Sequence, residues 1–199
     1  MKETPNFDFE KLLYEKGYKL IAGVDEAGRG PLAGDVFAAA VILPAEFDPK
    51  EINDSKKLTE KKREELFEYI IKNCLAYGIG KASAKEIDRI NIRNAAFLAM
   101  KRAVKKLPIV PEYLLIDGNG FNDIGISYQT VIKGDSKDIF IAAASILAKV
   151  SRDRAMIKLD KKYPQYGFAK HKGYPTKEHY AAIEKFGILS EHRKSFRLY

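Results

Sequence analysis

Three short strand-like runs in this chain each give way to a carboxylate, and that recurrence most restricts the folds open to it. Leu20–Val24 runs into Asp25 and Glu26, Tyr113–Ile116 into Asp117, and Tyr128–Lys133 into Gly134 and Asp135. Short apolar runs bounded by glycine read as buried strands. Strand ends in an α/β fold converge at one edge of the sheet, where sites are built. Carboxylates gathered there repel one another unless cations sit between them, and hard oxygen ligands suit Mg²⁺ or Mn²⁺.

The rest of the chain reads as elements that would frame such an edge. Asp35–Leu43 is a hairpin partner for the first strand, stopped by Pro44, and Leu75–Lys81 is a further strand. Helices are expected over Phe7–Lys16, Thr59–Cys74 with Thr59 as N-cap, Ile92–Leu107, Ile139–Lys158 and Lys177–Phe186. Ser83 to Glu86 matches a capping box and opens one more. The order β-β-α-β-α-β-β-α-α predicts an α/β fold, a mixed five-stranded sheet flanked by helices. Residues from about 160 add a C-terminal helical extension, and residues 1–199 are expected to form a single domain.

Charge points to a polyanionic partner. Lys and Arg number 35 against 27 Asp and Glu, a net +8. No run approaches the ~18 apolar residues of a membrane span, and the N-terminus lacks the apolar core of a secretory signal. The lone Cys74 cannot form an internal disulfide and is expected to pack as a small hydrophobe. A cytoplasmic monomer is the default expectation.

Each acid has a plainer reading. Asp25 and Glu26 are adjacent, so on a strand they point to opposite faces, and both reach one site only if the backbone bends there. Gly28 and Gly30 are candidates for that bend. Asp117 could end a strand in a turn, and Asp135 could cap the following helix. Asp35, Asp138 and Asp153 compete for the fourth position, and Asp153 could simply pair with Arg152 or Arg154. The glycine loop is half a dinucleotide fingerprint, but it lacks the third glycine, and Pro31 interrupts a helix launch.

Taken together, the motifs resemble ribonuclease HII. The carriers are Val24–Gly34 (VDEAGRGPLAG), Asn53–Leu58 (NDSKKL), Ile116–Gly118 (IDG), Lys133–Asp135 (KGD) and Ala142–Lys149 (AAASILAK). The resemblance implies a ribonuclease H-like fold, cleavage of RNA in RNA–DNA hybrids, and incision at single ribonucleotides embedded in duplex DNA. It implies metal ligands at Asp25, Glu26, Asp117 and Asp135. It further implies that Gly28, Arg29 and Gly30 sense the ribose 2′-hydroxyl, and that Tyr174 reads the RNA-to-DNA junction. Pro175 departs from the glycine expected in many relatives; proline fixes φ and removes an N–H, which bears on the Tyr174 loop.

Phosphate contacts are expected from Lys56 and Lys57, then Lys170, Lys172 and Lys177. Ser145, Lys149 and Arg152 fall at i, i+4 and i+7, a polar stripe that could face nucleic acid or pair with a neighbouring acid. The expected chemistry is in-line attack of water on the phosphorus 5′ to a ribonucleotide, assisted by two divalent ions and leaving 3′-hydroxyl and 5′-phosphate ends. His171, His179 and His192 show no pairing pattern and are assigned to surface or loops. A sliding clamp is a candidate protein partner, and the C-terminal Ser195–Tyr199 is either a partner peptide or a disordered end. The rival classes are another two-metal nuclease of the same architecture such as a junction resolvase, a silent nucleic-acid binder, and a nucleotide-dependent enzyme.

Overall fold

The computed structural model describes residues 4–199. Five strands form one sheet: β1 (Ile21–Ala27), β2 (Val36–Ile42), β3 (Ala76–Ala82), β4 (Tyr113–Asp117) and β5 (Ser127–Val131). Their order across the sheet is β3-β2-β1-β4-β5. β1, β2 and β3 pair antiparallel as a meander, while β1, β4 and β5 run parallel. The C-terminal ends of β1, β4 and β5 therefore lie at the same edge, and these are the ends that carry the acids.

Six α-helices accompany the sheet among the described residues: α1 (Asp8–Glu15), α2 (Glu60–Asn73), α3 (Ala84–Lys105), α4 (Ile139–Lys162), α5 (Phe168–His171) and α6 (Lys177–Phe186). Side chains alternate across the sheet, so β1 feeds two cores. Ile21 faces a core with α4 and α2, whereas Ala22 and Val24 face a second core with α3. Residues 139–148 of α4 are all buried, as expected for a helix that is apolar on every side. α4 lies directly on β1: a Cβ on Gly23 would fall 2.2 Å from the Phe140 carbonyl carbon.

Local chemistry sets the helix boundaries. Thr59 accepts the Lys62 N–H, and Ser83 with Glu86 forms the reciprocal capping box. α3 is broken at Asn91 (φ 64°), whose side chain accepts the Asn94 N–H and restarts the helix, matching the separate expectations for a helix at Ser83 and one from Ile92. Asp138, not Asp135, caps α4 by accepting the Ile141 N–H.

The C-terminal segment differs from expectation. It is neither a free peptide nor a disordered end. Leu198 is buried with Leu32, Met156, Tyr166, Phe168 and Ile183 in a third core, and Ser195 is clipped to Asp88. The histidines also differ. His179 and His192 are fully buried and His171 nearly so. His171 and His179 stack with ring centroids 4.5 Å apart, and His179 Nε2 lies 3.1 Å from His192 Nε2.

Candidate active site

β1 does not bend at its acids, contrary to expectation: it stays paired with β2 through Ala27. Its pairing with β4 ends at Val24 opposite Ile116, so the next rung sets Asp25 beside Asp117. Beyond that rung β1 has no paired strand on the β4 side, and Glu26 turns toward the same point. Oxygens of Asp25, Glu26 and Asp117 all lie within 4.8 Å of one another.

Backbone amides fix two of these groups. The Glu26 N–H donates to Asp25 Oδ1 at 2.6 Å, and the Gly134 N–H donates to Asp117 Oδ1 at 2.7 Å. Gly134 follows Lys133, which takes a left-handed conformation (φ 56°) and swings the chain back toward the edge. Asp135 comes next. It stands outside the triad of oxygens and accepts from Lys56 Nζ at 3.1 Å. Its charge nevertheless reaches the others. Burial first, then Glu26, Asp117 and Asp135, pushes the Asp25 carboxyl well above the usual carboxylate range. Burial and Asp135 push Asp117 upward as well. Lys56 is pulled down by burial, but Asp135 outweighs this and leaves it raised. Three crowded hard-oxygen donors, with the Asp25 and Asp117 carboxyls both raised, form a donor set suited to divalent cations.

The triad opens into a cleft of about 270 Å³. Ala27, Gly28, Arg29 and Gly30 line one wall, and Lys56, Lys149, Arg152 and Tyr174 line the rest. Gly28 is held at φ 97°, and a Cβ there would fall 2.0 Å from Arg152 Nε. A Cβ on Gly30 would sit 3.5 Å from the Tyr174 ring, so the loop and the exposed tyrosine touch across the cleft. Arg29 leans on Glu26 at 3.3 Å. The Tyr174 turn is closed by the Tyr174 N–H to His171 O and the Thr176 N–H to Tyr174 O, both 2.9 Å, so the closure draws on no amide at position 175.

The polar stripe on α4 divides. Ser145 is buried and accepts the Ser55 N–H at 3.3 Å, which anchors the Lys56 turn; it does not line the cleft. Lys149 lines the cleft and donates to Asp153 at 2.7 Å. Asp153 therefore pairs with Lys149 and Arg63, not with Arg152 or Arg154. Arg152 is buried and donates to Ala33 O and Lys172 O. Lys57 is exposed and lies 3.5 Å from Ser136 Oγ. Lys170 pairs with Glu178 at 3.0 Å, and Lys172 Nζ donates to Ala169 O.

The sheet order with acids at its parallel edge defines an α/β protein of ribonuclease H architecture, built for a divalent-ion site. Residues 22–199 match the family described as Ribonuclease HII. A curated Ribonuclease HII of Acetivibrio thermocellus is 57% identical over 188 residues, covering 94% of this chain and 73% of that protein. Among solved structures, the ribonuclease H2 of Pyrococcus horikoshii OT3 superposes with a TM-score of 0.76 at 27% identity, covering 90% of this chain and 94% of that one. The ribonuclease HII of Archaeoglobus fulgidus, solved with PCNA, gives 0.75 at 27% identity over 90% and 96% of the two chains. The chain belongs to the ribonuclease HII family and is an endoribonuclease of the ribonuclease H type, acting on RNA–DNA hybrids.

Proposed function

We propose that this chain incises duplex DNA 5′ to a single embedded ribonucleotide, as well as cutting RNA in hybrids, and that Asp25, Glu26, Asp117 and Asp135 hold two divalent ions. The observation that carries the reading is the joint lining of one cleft by Asp25, Glu26 and Asp117, the Gly28–Gly30 loop and the Tyr174 ring, with Asp135 bound to the cleft-lining Lys56. Mg²⁺ or Mn²⁺ bound there would supply charge for activating water and stabilising a leaving 3′-oxygen.

The protein's own groups do the rest. The loop amides lie where a ribose 2′-hydroxyl would meet backbone donors. The Tyr174 ring opposite offers a face on which a deoxyribose fits and a 2′-hydroxyl crowds. Lys56 and Lys149 put positive charge at the mouth for the phosphates, and Lys57 extends it outward. Asp135 holds Lys56 toward the carboxylates, so phosphate binding and the acidic cluster share a boundary. A sliding clamp as partner is supported only by the Archaeoglobus relative's complex.

The test is a labelled DNA duplex with one ribonucleotide, incubated with and without Mg²⁺, the cut being mapped at nucleotide resolution. A nick immediately 5′ to the ribonucleotide, leaving 3′-hydroxyl and 5′-phosphate ends and vanishing with chelator, is expected. Cutting only within long hybrids, or a cut 3′ to the ribonucleotide, refutes the proposal.

A further inference from the structure

Two buried guanidiniums brace the glycine loop, Arg152 from the cleft wall and Arg193 from outside the cleft lining, and among the described residues neither pairs with a carboxylate. Arg152 donates to Ala33 O and Lys172 O, tying the end of the loop to the turn before Tyr174. Arg193 comes from the C-terminal segment and is fully buried. Its Nη2 donates to Gly28 O at 2.6 Å and Gly34 O at 2.8 Å, its Nη1 to Arg29 O at 2.9 Å, and its Nε to Gly34 O at 3.0 Å. Burying a cation without a counter-charge is costly. A fork that satisfies three carbonyls of one loop is the structural return for that cost.

The direction of those carbonyls matters. Every peptide bond is trans among the described residues, so each N–H points opposite to the C=O of its own peptide unit. Gly28 O shares a unit with the Arg29 N–H, and Arg29 O with the Gly30 N–H. Drawing both carbonyls onto Arg193 turns both amides away from it, on the side where Arg29 and Gly30 line the cleft. Neither amide donates a hydrogen bond to any described residue. Two aligned, unspent donors facing a cleft form a cradle for an oxygen.

We propose that Arg193 is a positioning residue for ribonucleotide recognition: it aims the Arg29 and Gly30 amides, which makes the C-terminal segment part of the recognition apparatus. This rests on the proposed function, in which the loop meets the ribose hydroxyl. Arg193 touches no substrate. It acts through the loop, and lysine cannot replace it fully because one ammonium does not span three carbonyls.

The test is the ratio of affinities for a duplex with one ribonucleotide and for the same all-DNA duplex, measured with Ca²⁺ in place of Mg²⁺. Thermal unfolding is recorded alongside. Arg193→Met should lower the preference about tenfold, roughly the worth of one well-aligned hydrogen bond to the hydroxyl. Its affinity for all-DNA duplex should stay within about twofold because phosphate contacts are untouched. Arg193→Lys should fall between. Should Arg193→Met not fold, Asp88→Ala serves instead. It removes the exposed acceptor of the Lys194 N–H, Ser195 N–H and Ser195 hydroxyl, and so loosens the segment without opening the core. A loss of about threefold in preference is expected there. Variants that fold and keep the wild-type preference, with or without a lower melting point, overturn the proposal. A wild-type protein with no preference would instead refute the proposed function itself.

Discussion

Asp25 sits where the charge of the site is hardest to bear, buried beside Glu26 and Asp117 with Asp135 nearby. Replacing Asp25 or Asp117 by Asn should nearly abolish cutting in Mg²⁺ while hybrid binding survives, measured by single-turnover cleavage and by filter binding. In metal-free buffer Asp25→Asn should melt higher than wild type, by roughly 3 °C for each ~1 kcal/mol of repulsion removed. Tyr174 is exposed at the cleft, so Tyr174→Ala should slow single-ribonucleotide incision more than cleavage of a long hybrid in Mn²⁺; equal losses would separate the ring from junction reading. Far from the cleft, Glu10 is buried against Asp138, and burial first, then that neighbour, pushes its carboxyl up to about 10. A raised carboxyl contributes most below its unfolded value near 4.5 and loses that contribution as pH climbs through its folded value. The Tm should therefore decline from neutral pH toward pH 10. Glu10→Gln, which stays neutral, should flatten that decline and gain about 1 kcal/mol or more at pH 9.

At the scale of elements, the turn before α6 and the loop after it are joined by imidazoles. The Leu189 N–H donates to His192 Nδ1, which leaves the His192 Nε2–H to donate to His179 Nε2 and the His179 Nδ1–H to donate to Tyr174 O. His171 Nδ1 accepts the Gly173 N–H, so its Nε2–H donates to Tyr166 O. No nitrogen is free to take another proton. Burial, opposed by the bond to Tyr174 O, brings His179 down to about 4. A depressed histidine stabilises above its unfolded value near 6.5 and stops doing so as pH falls through its folded value. Acid unfolding should set in between about pH 6 and 4, and His179→Gln should shift its midpoint; an unchanged midpoint would show that the cluster does not govern it. This cluster was not legible in the sequence, because His179 and His192 are thirteen positions apart and belong together only through the turn after α6. The strands and their terminal acids were legible, because an apolar run ending in Asp has one simple placement in an α/β sheet. Thr59 and Ser83 marked helix starts correctly because capping is local. The unbent β1 was not, since only the early end of β4 frees Glu26. Arg193 gave no signal at all, as its partners are carbonyls that carry no sequence.

For the whole molecule, the net charge of +8 and the lysines near the cleft predict strongly salt-dependent binding. Affinity for a hybrid should fall linearly with salt on logarithmic axes, and Lys56→Ala should reduce the slope by about one. An unchanged slope would place Lys56 outside the phosphate contacts. The fold brings one strand of the meander and the parallel β4 to a common edge, and the claim beneath everything else is that acids more than ninety positions apart bind divalent ions there together. Calorimetric titration of Mn²⁺ into the wild-type protein and into Asp25→Asn tests this most directly. Saturable binding that is lost or severely weakened in Asp25→Asn is predicted. Equal binding in the two proteins, or none in either, would contradict the account.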